Sequence, residues 1–280
     1  MRNLVKELQR LAKNLANIET NNNNAVSVLH ELNDALENPP VEIVPWATGT
    51  DEQIAAMVAA LNDGRITIED TGWQIGDERT VSLAAMEATG VGETHAAQQV
   101  TLVLMDSQHY DLVGGGKDHF VVGLKNCLNE MGYMNSTDTS AGSWEASARR
   151  AWCNNVFKNA IPATLRNCFK QFNVITCTEW NGTTNTTSND YFALFAEKEV
   201  FGERIGSNET EAAALTQIEY YATEANRIKT VNGKAGFWWE RSPDTDPKGE
   251  GNGFCLVSLD GEANGDIASR AYGLAPFGCI

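Results

Sequence analysis

The stretch Phe237-Trp238-Trp239-Glu240-Arg241-Ser242-Pro243, together with its continuation to Ile280 (FWWERSPDTDPKGEGNGFCLVSLDGEANGDIASRAYGLAPFGCI), decides how the chain is read. Its aromatic opening reads as a strand. Residues 244–253 are polar, glycine-rich and without periodicity, which is the pattern of a loop. Phe254–Leu259 reads as a second strand, Asp260-Gly261 as a two-residue hairpin turn and Glu262–Arg270 as another polar stretch. Ala271–Ile280 is apolar apart from its glycines and reads as a buried final strand. Two rigid apolar blocks therefore hold two polar excursions between them. A fixed scaffold with free loops is an arrangement suited to recognition.

Working back toward the N-terminus, the pattern is one of short mixed elements. Thr50 followed by Gln53 is a capping-box signal, and Ile54, Met57, Val58 and Leu61 make one apolar face that Gly64 stops. Trp73 and Ile75, Gly76-Asp77, then Val81 and Leu83 read as a hairpin. Val100–Met105 and Phe120–Val122 read as strands. Ser143 opens a helix with Trp144, Ala148, Ala151, Trp152 and Val156 on one side, and Pro162 opens a second with Leu165, Cys168, Phe169 and Phe172 inward. Residues 178–190 read as a polar loop, Tyr191–Phe195 as strand and 209–229 as helix, with Leu215, Ile218, Ala222 and Ile228 apolar. The expected body is α+β.

The first 38 residues are of another kind. Leu4, Leu8, Leu11, Leu15, Ile18, Asn22, Ala25, Leu29, Leu32 and Leu36 are spaced alternately by four and three. A sustained 3.5-residue repeat marks helices that supercoil around one another, whereas a helix packed on its own domain drifts toward 3.6. Asn22 is then a single polar a-position residue that fixes register. Apolar flanks at Val5, Ala12, Val26, Val28 and Ala35 widen the face beyond a two-stranded seam, so the expected assembly is a homotrimer. The Asn21–Asn24 run weakens helix propensity, and Pro39-Pro40 ends the helix. The expected domains are an oligomerisation helix, 1–38, and a globular body, 41–280.

Composition excludes several classes. Across 280 residues, 21 Lys and Arg face 37 Asp and Glu, a net charge of −16. Nucleic-acid binding rests on clustered cations and is not expected. No apolar run approaches the roughly 18 residues that a membrane-crossing helix needs. Charges interrupt the N-terminal apolar residues every turn, so a secretory signal is not expected either. The cysteines at 127, 153, 168, 177, 255 and 279 form no CxxC pair and read as buried free thiols. The histidines at 30, 95, 109 and 119 form no HxxxH or HExxH.

Several blocks also carry a resemblance: Trp46–Asp51, Gly72-Trp73 with Gly76-Asp77, Ala148–Asn154, Asn189–Ala193, Glu197–Gly202, Trp238–Pro243 and Gly273–Ile280. They resemble an uncharacterised domain family of gut bacteria and their phages over roughly residues 41–280. The C-terminal half of that family is similar to the C-type-lectin-like fold of the formylglycine-generating-enzyme type, which retroelement-diversified phage receptor-binding proteins also use. The resemblance implies a display domain with framework residues Trp238, Trp239, Arg241, Gly273, Pro276 and Phe277. Its implied ligand-binding positions are Asp244, Thr245, Asp246, Lys248, Glu250, Asn252, Ser258, Asp260, Asn264, Asp266, Ser269, Arg270 and Tyr272.

The expected function is thus non-catalytic: a phage receptor-binding or tail-fibre adhesin on the virion surface. Its helix would meet other virion proteins, and its loops a host cell-surface glycan or protein. A capsid decoration or head fibre is the alternative. An enzyme of the formylglycine-generating type is a second alternative, for which Cys255 and Cys279 are the thiols and Glu197, Glu199 and Glu240 the carboxylates to consider. Solvated or ion-paired structural acids, with Glu240–Arg241 fixing a strand end, is the plainer reading of the latter three. No cofactor is expected. Calcium alone enters as a candidate, through oxygens of Asp244, Asp246 and Glu250 that lack the EF-hand spacing.

Overall fold

The leading heptads wind into one helix, α1 (Arg2–Glu37), in the computed structural model. The structure describes residues 2–37, 41–116, 118–245 and 251–280, with side chains of the first segment described from Gln9 to His30. The helix runs through Asn21–Asn24 without a break, contrary to the weakening that those asparagines predict. Helix propensity differs by only tenths of a kcal/mol per residue, too little to interrupt a long helix by itself. Leu11, Leu15, Ile18 and Leu29 are 52%, 59%, 55% and 63% exposed, and Asn22 is exposed too. The side chains of Leu4, Leu8, Leu32 and Leu36, and Pro39-Pro40, lie outside the described residues.

Residues 1–42 and 43–280 are separate compact units. The second opens with α2 (Asp51–Asn62), capped as its spacing predicts. The Gln53 amide N–H donates to Thr50 Oγ1 (3.2 Å), and the Thr50 N–H to Gln53 Oε1 (2.9 Å). Ile54, Met57, Val58 and Leu61 are buried, and Gly64 takes a left-handed φ of 68° just beyond.

Strands β1 (Glu78–Leu83), β2 (Gln98–Ser107) and β3 (Phe120–Leu124) come next in the chain. After them lie the helices α3 (Ser143–Ala146), α4 (Ala148–Trp152), a π-helical turn (Cys153–Phe157), α5 (Lys158–Ala160) and α6 (Ala163–Arg166). Then come β4 (Phe172–Cys177), β5 (Asn185–Asp190), α7 (Glu197–Phe201), α8 (Glu209–Ala213), and the two-residue strands β6 (Thr230–Val231) and β7 (Lys234–Ala235). The chain closes with β8 (Trp238–Pro243), β9 (Gly253–Val257), β10 (Ala263–Ile267) and β11 (Phe277–Cys279). Among the described residues the strands pair antiparallel, in sheets ordered β1-β2-β3-β11, β10-β9-β8, β4-β5 and β6-β7. The fold is therefore α+β, a helix followed by antiparallel sheets.

The closing segment joins the sheets. Gly278 pairs with Val122, while single bridges link Phe277 to Ala193, Cys279 to Lys170 and Gly273 to Trp238. Phe277 stacks on Phe195 with centroids 4.0 Å apart and also meets Tyr110 and Phe172. Truncating a side chain so enclosed costs about 3–5 kcal/mol. The expected buried final strand is this one.

Five local expectations are corrected. Trp73 does not pair with β1. Its indole donates to the Val44 carbonyl (2.8 Å), and β1 pairs with β2 instead, because Gly76 and Asp77 exchange backbone bonds with Leu104. The helix expected from Ser143 is broken at Ser147, whose hydroxyl caps α4. Its buried face carries Trp144, Arg149, Trp152, Cys153 and Phe157, leaving Ala151 exposed. Residues 185–190 form β5 because their inward polar groups are satisfied. Ser188 and Trp144 both donate to Asp190. Residues 209–229 are not one helix: Ile218 N–H goes to the Glu199 carbonyl and Glu219 N–H to the Asp106 carboxylate, which leaves short 3₁₀ turns. The β9–β10 connection spans 258–262, with Gly261 at φ 85°, and is longer than the two-residue turn expected.

Candidate functional site

Helix α7 and strand β8 carry the charges on which the site rests. Glu197, Glu199, Glu211, Glu240, Arg241 and Ser242 all lie within 1% of complete burial. Buried charge requires partners. Arg241 supplies them to Glu199 through two hydrogen bonds, Nη1 to Oε2 (2.6 Å) and Nη2 to Oε1 (2.8 Å). Burial by itself would raise the Glu199 pKa, but the Arg241 charge outweighs it and holds the carboxyl below its ordinary value. Glu211 accepts from the Cys177 N–H (2.9 Å) and from Ser242 Oγ, yet burial still pushes it up to about 7. Glu240 has no hydrogen-bond partner on either oxygen among the described residues. Burial, followed by the charges of Glu197 and Glu211, drives it well above the carboxylate range. Of the plainer expectation, solvated or ion-paired acids, Glu199 meets the second half; the correction is that Arg241 pairs with Glu199 instead of Glu240.

Glu197 is held differently. Its Oε2 accepts from Ile205 N (2.8 Å), Ser207 N (2.9 Å) and Ser207 Oγ (2.6 Å), and its Oε1 from Gly206 N (2.6 Å). This draws the 205–207 segment against the end of β8, where Ser207 bridges Asp244 and Thr245 N–H donates to the Gly206 carbonyl (2.8 Å). Strand β10 closes the other side. The result is an open cavity of about 370 Å³ bordered by Glu197, Gly206, Asp244, Thr245, Asn264 and Gly265, among others. A Cβ at Gly265 would meet the Asp244 carboxylate, so a larger residue there would displace that side chain in the cavity wall.

Of the positions expected to bind ligand, Asp244, Thr245 and Asn264 come together here, one pair from the first polar excursion and one residue from the second. Asp266 and Tyr272 pair with each other: the phenol donates to Asp266 Oδ2 (2.5 Å) and rests edge-on against Trp239. Burial and then that bond push the phenol pKa up to about 12. Ser258 is buried, its hydroxyl accepting from the N–H groups of Asp260 and Glu262 within the turn. Asp260 and Arg270 are exposed, Ser269 and Asn252 half-buried, and none of the four borders the cavity. Asp246, Lys248 and Glu250 lie outside the described residues. Gly206 and Gly265 are not legible as site residues in the sequence, where nothing distinguishes them from other loop glycines.

Chemically, the described residues of the cavity offer acceptors and amides. Cys255 lies nearby, with its thiol driven well above its ordinary pKa by burial, then by Glu197 and Glu240. Cys279 is likewise buried and raised, and all six cysteines are free and buried. The histidines of the body, for which the sequence suggested no partner, have structural ones. His109 meets Asp106 (3.0 Å), His95 lies between Glu93 and Glu130, and His119 accepts the Tyr110 N–H (3.3 Å). Among the described residues no group of three or more potential metal ligands gathers at this cavity. Only Asp244 of the three expected ligands is described, and the oxygens of neighbouring Glu197 are taken by four donors.

A family model described as a domain of unknown function, DUF6273, matches residues 117–280. The chain belongs to the DUF6273 family. The DUF6273 match holds the cavity, the Arg241–Glu199 pair and both C-terminal blocks, but it begins just before β3 and omits β1 and β2. It is thus shorter than the 41–280 resemblance: the Trp46–Asp51 and Gly72–Asp77 blocks fall outside it. No curated protein and no solved structure matched the chain.

Proposed function

We propose that the chain is a non-catalytic display protein of a phage particle, with a C-type-lectin-like body that binds a host surface ligand through the cavity between β8 and β10. The convergence of Asp244, Thr245 and Asn264 on one open cavity over a rigid, fully buried base carries this reading. In it, the exposed stripe Leu11, Leu15, Ile18 and Leu29 joins three copies, with Asn22 setting register. Three weak sites held together gain avidity of about 10²-fold or more where geometry permits simultaneous engagement.

The test is exchange of residues 244–252 for an unrelated loop, with binding of the full chain read on a panel of bacterial surface polysaccharides and whole cells. The exchange changes the binding profile and leaves the melting temperature within a few degrees. An unchanged profile, or global unfolding, would overturn the reading. Alanine at Asn264 gives a second, milder probe of the same wall.

A further inference from the structure

Arg150, Ala151, Asn154, Asn155 and Lys158 recur at i, i+1, i+4, i+5 and i+8, so they share one helical stripe opposite the buried Arg149, Trp152, Cys153 and Phe157. Part of this stripe is wound as a π-helical turn, a feature frequent at functional sites. With Gln171 and the end of β5, the stripe walls a second open cavity of about 360 Å³ that shares no bordering residue with the first.

The carboxylate in this cavity is fully engaged. Asp190 Oδ1 takes Arg150 Nε (2.7 Å) and Asn154 Nδ2 (3.2 Å), and Oδ2 takes Trp144 Nε1 (2.9 Å) and Ser188 Oγ (2.8 Å). Donors remain. Lys158 Nζ sits 3.2 Å from the centre of the Tyr191 ring, in no ion pair with a described carboxylate. The terminal nitrogens of Arg150 make only long bonds, 3.3 Å to the Glu145 carbonyl and 3.4 Å to that of Asn189. Burial and then the neighbouring charge of Arg166 hold the Lys158 ammonium below its ordinary pKa, and an arriving anion relieves that repulsion. In a chain of net charge −16, this is a concave site that holds two cations and one carboxylate, the carboxylate already taken by four donors. Asn155 Nδ2 donates to the Ala151 carbonyl (2.8 Å), which leaves its side-chain oxygen, with the Gln171 side-chain amide, to meet hydroxyls. The volume also lies in the range of small-molecule pockets, about 300–1,000 Å³, which is far more than a bare oxyanion fills.

We propose that this cavity binds an acidic sugar, with its carboxylate on Lys158 and Arg150 and its hydroxyls on the Asn155 and Gln171 amides. The site is independent of the β8–β10 cavity, and exchange of residues 244–252 leaves it unchanged.

The test is calorimetric or NMR titration of the full chain with glucuronate, glucose and inorganic sulfate. Glucuronate binds in the millimolar range, with glucose and sulfate each at least about tenfold weaker. Lys158→Met weakens glucuronate binding about tenfold, while Lys158→Arg stays within about threefold, as a charge contact predicts. Ala151→Leu, at an exposed helical position that any aliphatic residue tolerates, fills the cavity and abolishes binding. Glucose binding as tightly as glucuronate removes the anionic element, and sulfate doing so reduces the site to a bare anion site; either overturns the proposal. So does absence of glucuronate binding up to about 20 mM, or binding that survives both Lys158→Met and Ala151→Leu.

Discussion

Arg241 and Glu199 form a two-point ion pair across 42 residues of sequence, with bonds of 2.6 and 2.8 Å and no exposed surface on either side chain. The pair ties β8 to α7, and the Arg241 N–H extends the link by donating to the Phe195 carbonyl (2.8 Å). One wall of the β8–β10 cavity, formed by Glu197, Gly206, Asp244 and Thr245, hangs from these two elements.

Breaking the pair from one side strands a buried charge. Arg241→Met is expected to cost about 3–5 kcal/mol in chemical denaturation. The double variant Arg241→Met, Glu199→Leu recovers a large part of that loss, because no charge is left unpaired. A double variant as unstable as the single one would show that the pair matters through shape instead.

Glu211 sets a pH dependence. Its folded pKa, about 7, lies above the ordinary carboxyl value of 4.5, so the folded state binds the extra proton. The stability it contributes is complete below pH 4.5 and is lost as pH rises through about 7, a change of about 3 kcal/mol at most. Glu240, raised by burial and by the charges of Glu197 and Glu211, adds a decline of the same sign. Thermal melts between pH 5 and 8 are expected to fall with pH, and Glu211→Gln, which resembles the protonated acid, flattens that slope. Equal slopes in the two proteins would refute the assignment.

The DUF6273-matched region is not expected to fold alone. It starts at 117, and β3, whose five residues are all buried, pairs on one side with β2 from outside the match. A fragment of 117–280 leaves that edge bare and apolar, and such edges aggregate. Residues 41–280 should unfold cooperatively, and circular dichroism with heating distinguishes the two fragments.

On α1, Leu15→Asp with Leu29→Asp places charges on the exposed stripe. Sedimentation should move from an assembly to a single chain, while the melting of the body stays the same. A wild-type protein that already sediments as one chain would rule out the supercoil.

Where the deciding pattern is short-range, the fold is legible in the sequence. The Thr50–Gln53 cap and the burial of Phe254–Val257 and of the closing residues are each settled within a turn or by the apolar run itself. Reading fails where polar residues point inward. Ser188 and Asp190 make a strand out of an apparent loop, because Trp144 and Arg150 satisfy Asp190 from 46 and 40 residues away. It fails again at 209–229, where Asp106 and the Glu199 carbonyl take backbone N–H groups that a helix would have used. Of the candidate site, Asp244, Thr245 and Asn264 are legible as residues of two polar excursions, but their shared cavity is not.

Sequence alone determined the periodic helix, the α+β character, the buried thiols and the placing of polar segments between apolar blocks. These arise from side-chain spacing, which acts within a few residues. Tertiary structure decided which acid meets Arg241, which loops share a cavity and that Lys158 meets the Tyr191 ring. Neighbours on a strand, such as Glu240 and Arg241, point to opposite faces. Their partners are therefore chosen by whatever the rest of the chain packs on each side.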